Sequence, residues 1–183
     1  MAGMERFTQR ARRVLSLAHQ EAERLRQDSI RTEHLLLGLI QEEGGVAGRV
    51  LRELGLEMDR VRELIERLSP PGSNRSPKID LSPGVQQVLE FAIEEARRMG
   101  HHYISTEHLL LALLRSTEGS ALDILRRMGV TSEQIRRQTR RVLQEGSTPP
   151  STPATPGAPA PAHASAGWAI ARVQPRRRRP TSR

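Results

Sequence analysis

The sequence predicts an all-α protein with two tandem four-helix repeats, eight helices in total, followed by a disordered C-terminal tail. Three observations support this prediction. Apolar residues recur at helical spacing up to about residue 145, without strand-like alternation. The pattern returns after 74 residues without a gap, with 21 identities in 61 aligned positions. The last 37 residues contain eight of the twelve prolines, a composition that cannot bury enough apolar surface to fold.

The first two helices of each repeat begin with small polar residues. Thr8 in repeat one and Ser82 in repeat two are predicted to cap the first helix, and Pro83 fills the favoured first helical position. The second helix is predicted to start with Thr32 and Thr106 as its N-caps. Leucine and isoleucine then fill most of its positions, which is typical of a buried central helix.

The third helix of each repeat is short, and a glycine separates it from the fourth. Gly55 and Gly129 come directly after the third helix, where a backbone of positive φ suits glycine. Thr131 and Gln134 have the spacing of a capping box at the start of the last helix. Because bundles of about sixty residues are marginally stable alone, we expect the two repeats to pack together around a pseudo-twofold axis.

The chain divides into a helical domain and a basic tail. We expect the domain at residues 5–145, with repeat one at 8–68, a linker at 69–81 and repeat two at 82–143. Residues 147–183 form the tail, which carries six arginines and no acidic residue. The net charge of +8 therefore lies mostly in the tail, since the rest of the chain has 23 basic and 21 acidic side chains.

Residue content disfavours several classes of function. The absence of cysteine excludes disulfides, thiolate metal sites and cysteine nucleophiles. No catalytic set of side chains emerges, so we expect no enzyme activity, no cofactor and no metal site. His34 and His108 are interpreted as buried structural residues, and His101 and His102 as a solvated turn.

No apolar stretch has the length of a membrane span or a signal peptide, which makes the cytoplasm the default location. Three acidic pairs are interpreted as solvated helix faces: Glu42 with Glu43, Glu94 with Glu95, and Asp59 with Glu63.

Three motifs within the repeats resemble a known domain family. They are Arg6-Phe-Thr, Ala18-x-x-Glu-Ala, and the segment Thr-Glu-His-Leu-Leu-Leu that begins at Thr32 and again at Thr106. Over residues 5–145 the chain resembles the Clp N-terminal (Clp repeat) domain of AAA+ unfoldases, in particular the ClpC type. The resemblance implies an eight-helix fold that binds adaptors and substrates for an unfoldase. The sequence contains no phosphate loop, so we expect a stand-alone domain that lacks the AAA+ ATPase modules.

The resemblance also implies one candidate ligand site in each repeat. Some ClpC-type domains bind phosphorylated arginine, and the matching positions are Thr8 with Glu33 in repeat one and Ser82 with Glu107 in repeat two. A helix N-terminus and a hydroxyl suit the phosphate, whereas a carboxylate suits the guanidinium. The alternative is that these four residues only stabilise helix N-termini.

Two departures from the family pattern bear on this site. The family's glycine before Thr-Glu-His is Arg31 in repeat one and Ser105 in repeat two. Arg31 can sharpen a phosphate site, or it can pair with Glu33 and block the site. We therefore hypothesise that repeat two, with the small Ser105 beside Glu107, retains the site better.

These expectations favour a non-catalytic protein-binding module that acts as an adaptor or modulator of a Clp unfoldase–protease. Its partners would be the unfoldase, its adaptors or its substrate proteins, and the oligomeric state stays open. The alternative is a polyanion-binding or nucleic-acid-binding protein, because adjacent arginines on a flexible tether attract polyanions. The arginines concerned are Arg176, Arg177, Arg178 and Arg179. A third possibility is a tail that serves only solubility.

Overall fold

A computed structural model describes residues 3–69, 71–73 and 78–147. These residues form eight α-helices, so the predicted all-α class with four helices in each repeat is confirmed. Repeat one contains α1 (Gln9–Arg24), α2 (Thr32–Gln41), α3 (Val46–Glu53) and α4 (Met58–Leu68). Repeat two contains α5 (Pro83–Arg98), α6 (Thr106–Leu113), α7 (Ala121–Arg127) and α8 (Ser132–Ser147).

Two short strands join the repeats, although the sequence shows no strand-like alternation. Strand β1 (Ser29–Ile30) pairs in parallel with β2 (Asp80–Leu81), which lies inside the predicted linker. Phe7 and Ile104 form a second, isolated parallel bridge. Segments of one or two residues are too short to produce a periodic pattern, and for this reason the sequence does not reveal them.

Helix caps follow the prediction for α1 and α5 but not for α2 and α6. The Thr8 hydroxyl accepts a hydrogen bond from the backbone N–H of Ala11 at 3.2 Å. In the same way the Ser82 hydroxyl accepts from Val85 N–H at 3.3 Å. The predicted N-caps Thr32 and Thr106 are wrong, because these residues are the first of α2 and α6 and the caps lie one residue earlier. Their hydroxyls are used elsewhere, as described below.

The two repeats share one apolar core, as the pseudo-twofold prediction requires. Nearly every residue of α2 and α6 is buried, which confirms that they are central helices. Helices α1 and α2 pack with their backbones in contact, because a Cβ at Gly38 would overlap the carbonyl oxygen of Val14. The largest buried core side chains come from both repeats and include Leu35, Leu36, Leu51, Ile65, Ile104, Leu109, Leu110 and Ile124.

Of the six acidic side chains predicted to lie on solvated helix faces, four are exposed, but Glu42 and Glu95 are buried in ion pairs. Glu42 is 6% exposed and lies 3.3 Å from Nε of Arg13. Glu95 is 7% exposed and accepts a hydrogen bond from Arg115 at 2.9 Å. Glu21 is also buried; burial alone would raise its pKa, but hydrogen bonds from Arg62 and Arg24 bring the pKa below its ordinary value. Arginines reach these carboxylates from neighbouring helices, which sequence spacing does not show.

The last helix, α8, ends at Ser147 and therefore includes the first residue of the predicted tail. The remainder of the tail lies outside the described residues, and so does the run Arg176–Arg179. Polyanion binding through this run stays a prediction. Among the described residues, no helix has both the length and the apolarity needed to cross a membrane.

Candidate functional site: two composite helix N-termini

The backbone places Thr8 beside the start of α6 in the other repeat. Ile104 N–H donates to the carbonyl of Arg6 at 2.8 Å, and Thr8 N–H donates to the carbonyl of Ile104 at 2.9 Å. Helix α1 begins directly after Thr8, and α6 begins two residues after Ile104. The N-termini of α1 and α6 therefore lie side by side, and Glu107 is the second residue of α6.

The same arrangement is repeated for Ser82 at the start of α2. Ser82 N–H donates to the carbonyl of Ile30 at 2.9 Å, next to the pairing of β1 with β2. Helix α5 begins directly after Ser82, and α2 begins two residues after Ile30. Ser82 therefore lies beside the helix N-terminus that contains Glu33.

These contacts replace the pairing within each repeat that the resemblance suggested. Arg10 and Arg13, at the start of α1, contact Glu42 at the end of α2. Glu33 lies nine residues before Glu42, or roughly 14 Å along α2 at 1.5 Å per residue, so it is far from Thr8. Each capping hydroxyl lies instead near the glutamate-bearing helix of the other repeat. We call Thr8, Thr106 and Glu107 the first composite site, and Ser82, Thr32 and Glu33 the second composite site.

A third helix N-terminus meets each composite site through a threonine hydroxyl. Thr106 Oγ1 accepts a hydrogen bond from Ala47 N–H, in the first turn of α3, at 3.3 Å. Thr32 Oγ1 accepts from Ala121 N–H, the first residue of α7, at 3.4 Å. Each threonine thus stabilises a helix of the other repeat. Three positive helix ends converge at each site, an arrangement that favours a negatively charged ligand group.

Glycines make this close approach possible. A Cβ at Gly45 would lie 2.7 Å from Thr106 Oγ1, a distance that real contacts essentially never show. A Cβ at Gly119 would overlap Thr32 Oγ1. The backbone of Gly119 also has a φ of +95°, which disfavours any other residue. The two positions are equivalent in the repeats, so both composite sites depend on a glycine before the third helix.

The two glutamates of the composite sites are buried and have no arginine partner. Glu33 is 2% exposed and Glu107 is 6% exposed. Within the described part of the chain neither forms an ion pair, although Glu33 accepts a long hydrogen bond of 3.5 Å from the Thr32 hydroxyl. Oε2 of Glu107 is buried and has no hydrogen-bond partner among the described residues. A buried carboxylate without a cation is unfavourable, so both side chains suit a guanidinium from outside.

His34 and His108 are buried structural residues, as predicted, and they also close the N-termini of α2 and α6, although Nε2 of His34 has no hydrogen-bond partner among the described residues. Nδ1 of His34 accepts a hydrogen bond from Arg31 N–H at 3.0 Å, and Nδ1 of His108 accepts from Ser105 N–H at 2.9 Å. Burial lowers the pKa of each imidazole below its ordinary value, and the charge of the preceding glutamate only partly offsets this effect. Both rings are therefore neutral at pH 7.

A contact between His101 and His108 was missed by the interpretation of a solvated turn. His101 is exposed, but its Nδ1 lies 2.8 Å from Nε2 of His108, and a carboxylate oxygen of Glu107 lies within 4.8 Å of both. These atoms have the chemistry of metal ligands. Because Nδ1 of His108 accepts a backbone N–H, the proton of the neutral ring is on Nε2, whereas a ligating histidine donates from its other nitrogen. The geometry therefore fits a hydrogen bond from His108 to His101 and does not fit a metal ion.

Arg31 does not block the second composite site by pairing with Glu33. Its guanidinium lies 3.5 Å from the carboxylate of Asp28 instead. Both sites therefore keep a buried carboxylate without an arginine partner beside the positive ends of helices. This combination can bind a ligand that carries an anionic group and a guanidinium together.

Comparison with known proteins agrees with this fold. Two overlapping segments, residues 6–118 and 81–164, match the family described as Clp repeat (R) N-terminal domain. The chain is 41% identical over 143 residues to the negative regulator of genetic competence ClpC/MecB of Bacillus subtilis. The match covers 78% of this chain and 18% of that relative, so the chain spans less than a fifth of the relative's length.

Solved structures of N-terminal domains share the same fold. The N-terminal domain of the chaperone ClpD from Arabidopsis thaliana has a TM-score of 0.64 and 29% identity, covering 79% of this chain and 99% of that one. A ClpV N-domain in complex with a VipB peptide has a TM-score of 0.59 and 18% identity, covering 78% of this chain and 89% of that one. Duplicated helices, family match and shared fold together show that the chain belongs to the Clp repeat N-terminal domain family.

Proposed function

We propose that this chain is a non-catalytic protein-binding module that presents substrates or adaptors to a Clp unfoldase–protease. Clp N-terminal domains are protein-binding modules of Clp unfoldases that bind adaptors or substrates. The described residues supply both repeats of such a domain and two composite sites on it. The sequence has no phosphate loop, so binding is the activity that these residues support.

Phosphorylated arginine is the ligand that the composite sites fit best. The observation that carries this proposal is the buried Glu107, whose Oε2 has no partner in the described part of the chain, beside converging helix N-termini. A guanidinium would satisfy the carboxylate, and the phosphoryl group would accept hydrogen bonds from N–H groups of the helix ends. The carboxylate alone would not distinguish phosphoarginine from arginine, and the helix ends alone would not distinguish it from phosphoserine.

An apolar groove between the two composite sites supplies a place for the rest of a peptide. Its volume is about 650 Å³, and its apolar lining includes Met4, Phe7, Leu81, Leu89 and Ile93. Phe7 directly precedes Thr8, and Leu81 directly precedes Ser82, so the groove borders both sites. Since a ClpV N-domain forms a complex with a VipB peptide, a peptide ligand is consistent with the shared fold.

Calorimetric titration of the full chain with a short peptide tests this function. The peptide would carry one phosphoarginine, and the same peptide with arginine or with phosphoserine would be the control ligand. We expect binding of the phosphoarginine peptide only, and a loss of at least tenfold in affinity when Glu107 is replaced by glutamine. Glu63→Gln is the matched control, because Glu63 is exposed on α4. Equal binding of all three peptides would refute the proposed ligand.

A further inference from the structure

The two composite sites differ in charge although they are related by the repeat. The equivalent positions are Arg10 and Gly84, Arg13 and Gln87, Glu42 and Ser116, and Gly44 and Glu118. Each substitution changes a charged residue near one helix N-terminus into an uncharged one near the other. At these four positions the first composite site thus has two arginines and one carboxylate, whereas the second composite site has one carboxylate and no arginine.

At the first composite site, Arg10 and Arg13 border an open polar cavity. They lie 3.9 Å and 3.3 Å from the buried carboxylate of Glu42, which holds both guanidinium groups at the start of α1. The cavity has a volume of about 410 Å³ and is also lined by Gly44, where a Cβ would overlap the Arg10 side chain. Gly44 directly precedes Gly45, the residue that contacts Thr106. The arginines therefore stand at the rim of the first composite site.

At the second composite site, no arginine occupies the equivalent place. Gly84 lies in the first turn of α5, and a Cβ there would lie 3.4 Å from both the Cβ of Glu118 and a methyl carbon of Thr32. Glu118 is exposed and occupies the position of Gly44. Arg31 lies nearby, but it is a single arginine, and its guanidinium contacts Asp28, which adds a third carboxylate to Glu33 and Glu118. Carboxylates therefore outnumber arginines around this site.

From this difference we infer that phosphorylated arginine binds at the first composite site and not at the second, with Arg10 and Arg13 as the residues that determine this specificity. The inference rests on the proposed function, and it names which of the two sites accepts the phosphoryl group. Phosphorylation gives arginine a net negative charge, which the two guanidinium groups attract and the carboxylate of Glu118 repels. Glu42 positions the two arginines and does not itself contact the ligand.

Stoichiometry in the titration of the full chain distinguishes one site from two. We expect one phosphoarginine peptide per chain, and an affinity at least tenfold lower in the double variant Arg10→Gln, Arg13→Gln. The control variant Arg60→Gln, Arg67→Gln removes the same charge from α4 and is expected to bind within twofold of the unsubstituted chain. Glu107→Gln is expected to lower the affinity at least tenfold as well.

A variant that gains a binding site completes the test, because misfolding could explain a loss of binding but not a gain. The quadruple variant Gly84→Arg, Gln87→Arg, Ser116→Glu, Glu118→Gly gives the second site the charges of the first, and we expect two peptides per chain. Two equal sites in the unsubstituted chain, or unchanged affinity in the Arg10→Gln, Arg13→Gln variant, would overturn this inference and leave the proposed function standing. No binding of the phosphoarginine peptide to the unsubstituted chain would overturn both.

Discussion

The hydroxyl of Thr106 is predicted to stabilise the contact between the repeats. Thr106 is 1% exposed and accepts the backbone N–H of Ala47 at 3.3 Å, in the first turn of α3. Valine has nearly the same shape but no acceptor, so Thr106→Val leaves that N–H buried and unsatisfied. We expect a loss of roughly 1–3 kcal/mol in the free energy of unfolding, the usual cost of an unpaired buried donor. Loss of a helix N-cap typically costs about 1 kcal/mol, which agrees with the lower end of this range.

Urea unfolding followed by circular dichroism measures this loss. The midpoint should fall while the slope of free energy against urea stays the same, because the surface exposed on unfolding is unchanged. Thr117→Val is the matched control: Thr117 is exposed in the connection between α6 and α7, and its substitution should change stability by less than about 0.5 kcal/mol. Thr32→Val removes the hydroxyl that accepts the N–H of Ala121, and it should lower the free energy of unfolding by a similar amount.

The reasoning would be refuted by a Thr106→Val protein as stable as the Thr117→Val control. Such a result would mean that the N–H of Ala47 finds another acceptor at no cost, and that the hydroxyl contributes nothing between the repeats. A loss of stability for Thr106→Val without one for Thr32→Val would instead contradict the equivalence of the two contacts.

Three further predictions concern pH, glycine and the tail. Burial lowers the pKa values of His34 and His108 on folding, so below about pH 6.5 the unfolded chain binds more protons than the folded chain. Above that pH these histidines do not reduce the free energy of unfolding. Between that pH and the folded pKa, each histidine lowers the free energy of unfolding by up to about 1.4 kcal/mol per pH unit. Urea midpoints from pH 7 to 5 should show this fall, and the His34→Asn, His108→Asn variant should show less of it. Gly119→Ala should destabilise the protein more than Gly55→Ala, since both glycines have positive φ but only Gly119 has a close neighbour; equal melting temperatures would contradict this. Replacement of Arg176–Arg179 by alanine should lower the salt concentration that elutes the full chain from heparin, and unchanged elution would exclude polyanion binding by this run.

Sequence periodicity was sufficient to predict the helices, because each amphipathic pattern is local. The caps at Thr8 and Ser82 follow from the side chain and its own helix, and both are present. The glycines after the third helices likewise have positive φ, +83° at Gly55 and +76° at Gly129. The caps of α2 and α6 lie one residue before the predicted ones, at Arg31 and Ser105. Histidine at the third helical position closes these N-termini with its Nδ1, and the pattern of small polar caps does not include histidine.

The partners of the candidate site residues could not be predicted from the sequence, because they depend on packing between the repeats. The 74-residue offset suggests that each repeat carries its own complete site, because every site residue of repeat one has an equivalent in repeat two. The contacts of Thr8 with Ile104 and of Ser82 with Ile30 join residues that are far apart in the chain. The ion pairs between Glu42 and arginines of α1 could not be predicted either, because the spacing of acidic residues does not show which cations come from another helix.

Composite sites have a consequence for how the domain binds ligands. Each site takes its N-cap hydroxyl from one repeat and its glutamate from the other. The threonine beside that glutamate caps a helix of the repeat that supplies the hydroxyl. A separated repeat would therefore keep half of each site, and neither half joins the anion-binding helix end to the guanidinium-binding carboxylate. If the proposed ligand binds, its binding is predicted to be coupled to repeat packing, because the same threonine contacts hold the helix N-termini in place. A phosphoarginine ligand should consequently raise the stability of the whole domain, by an amount that grows with ligand concentration above its dissociation constant.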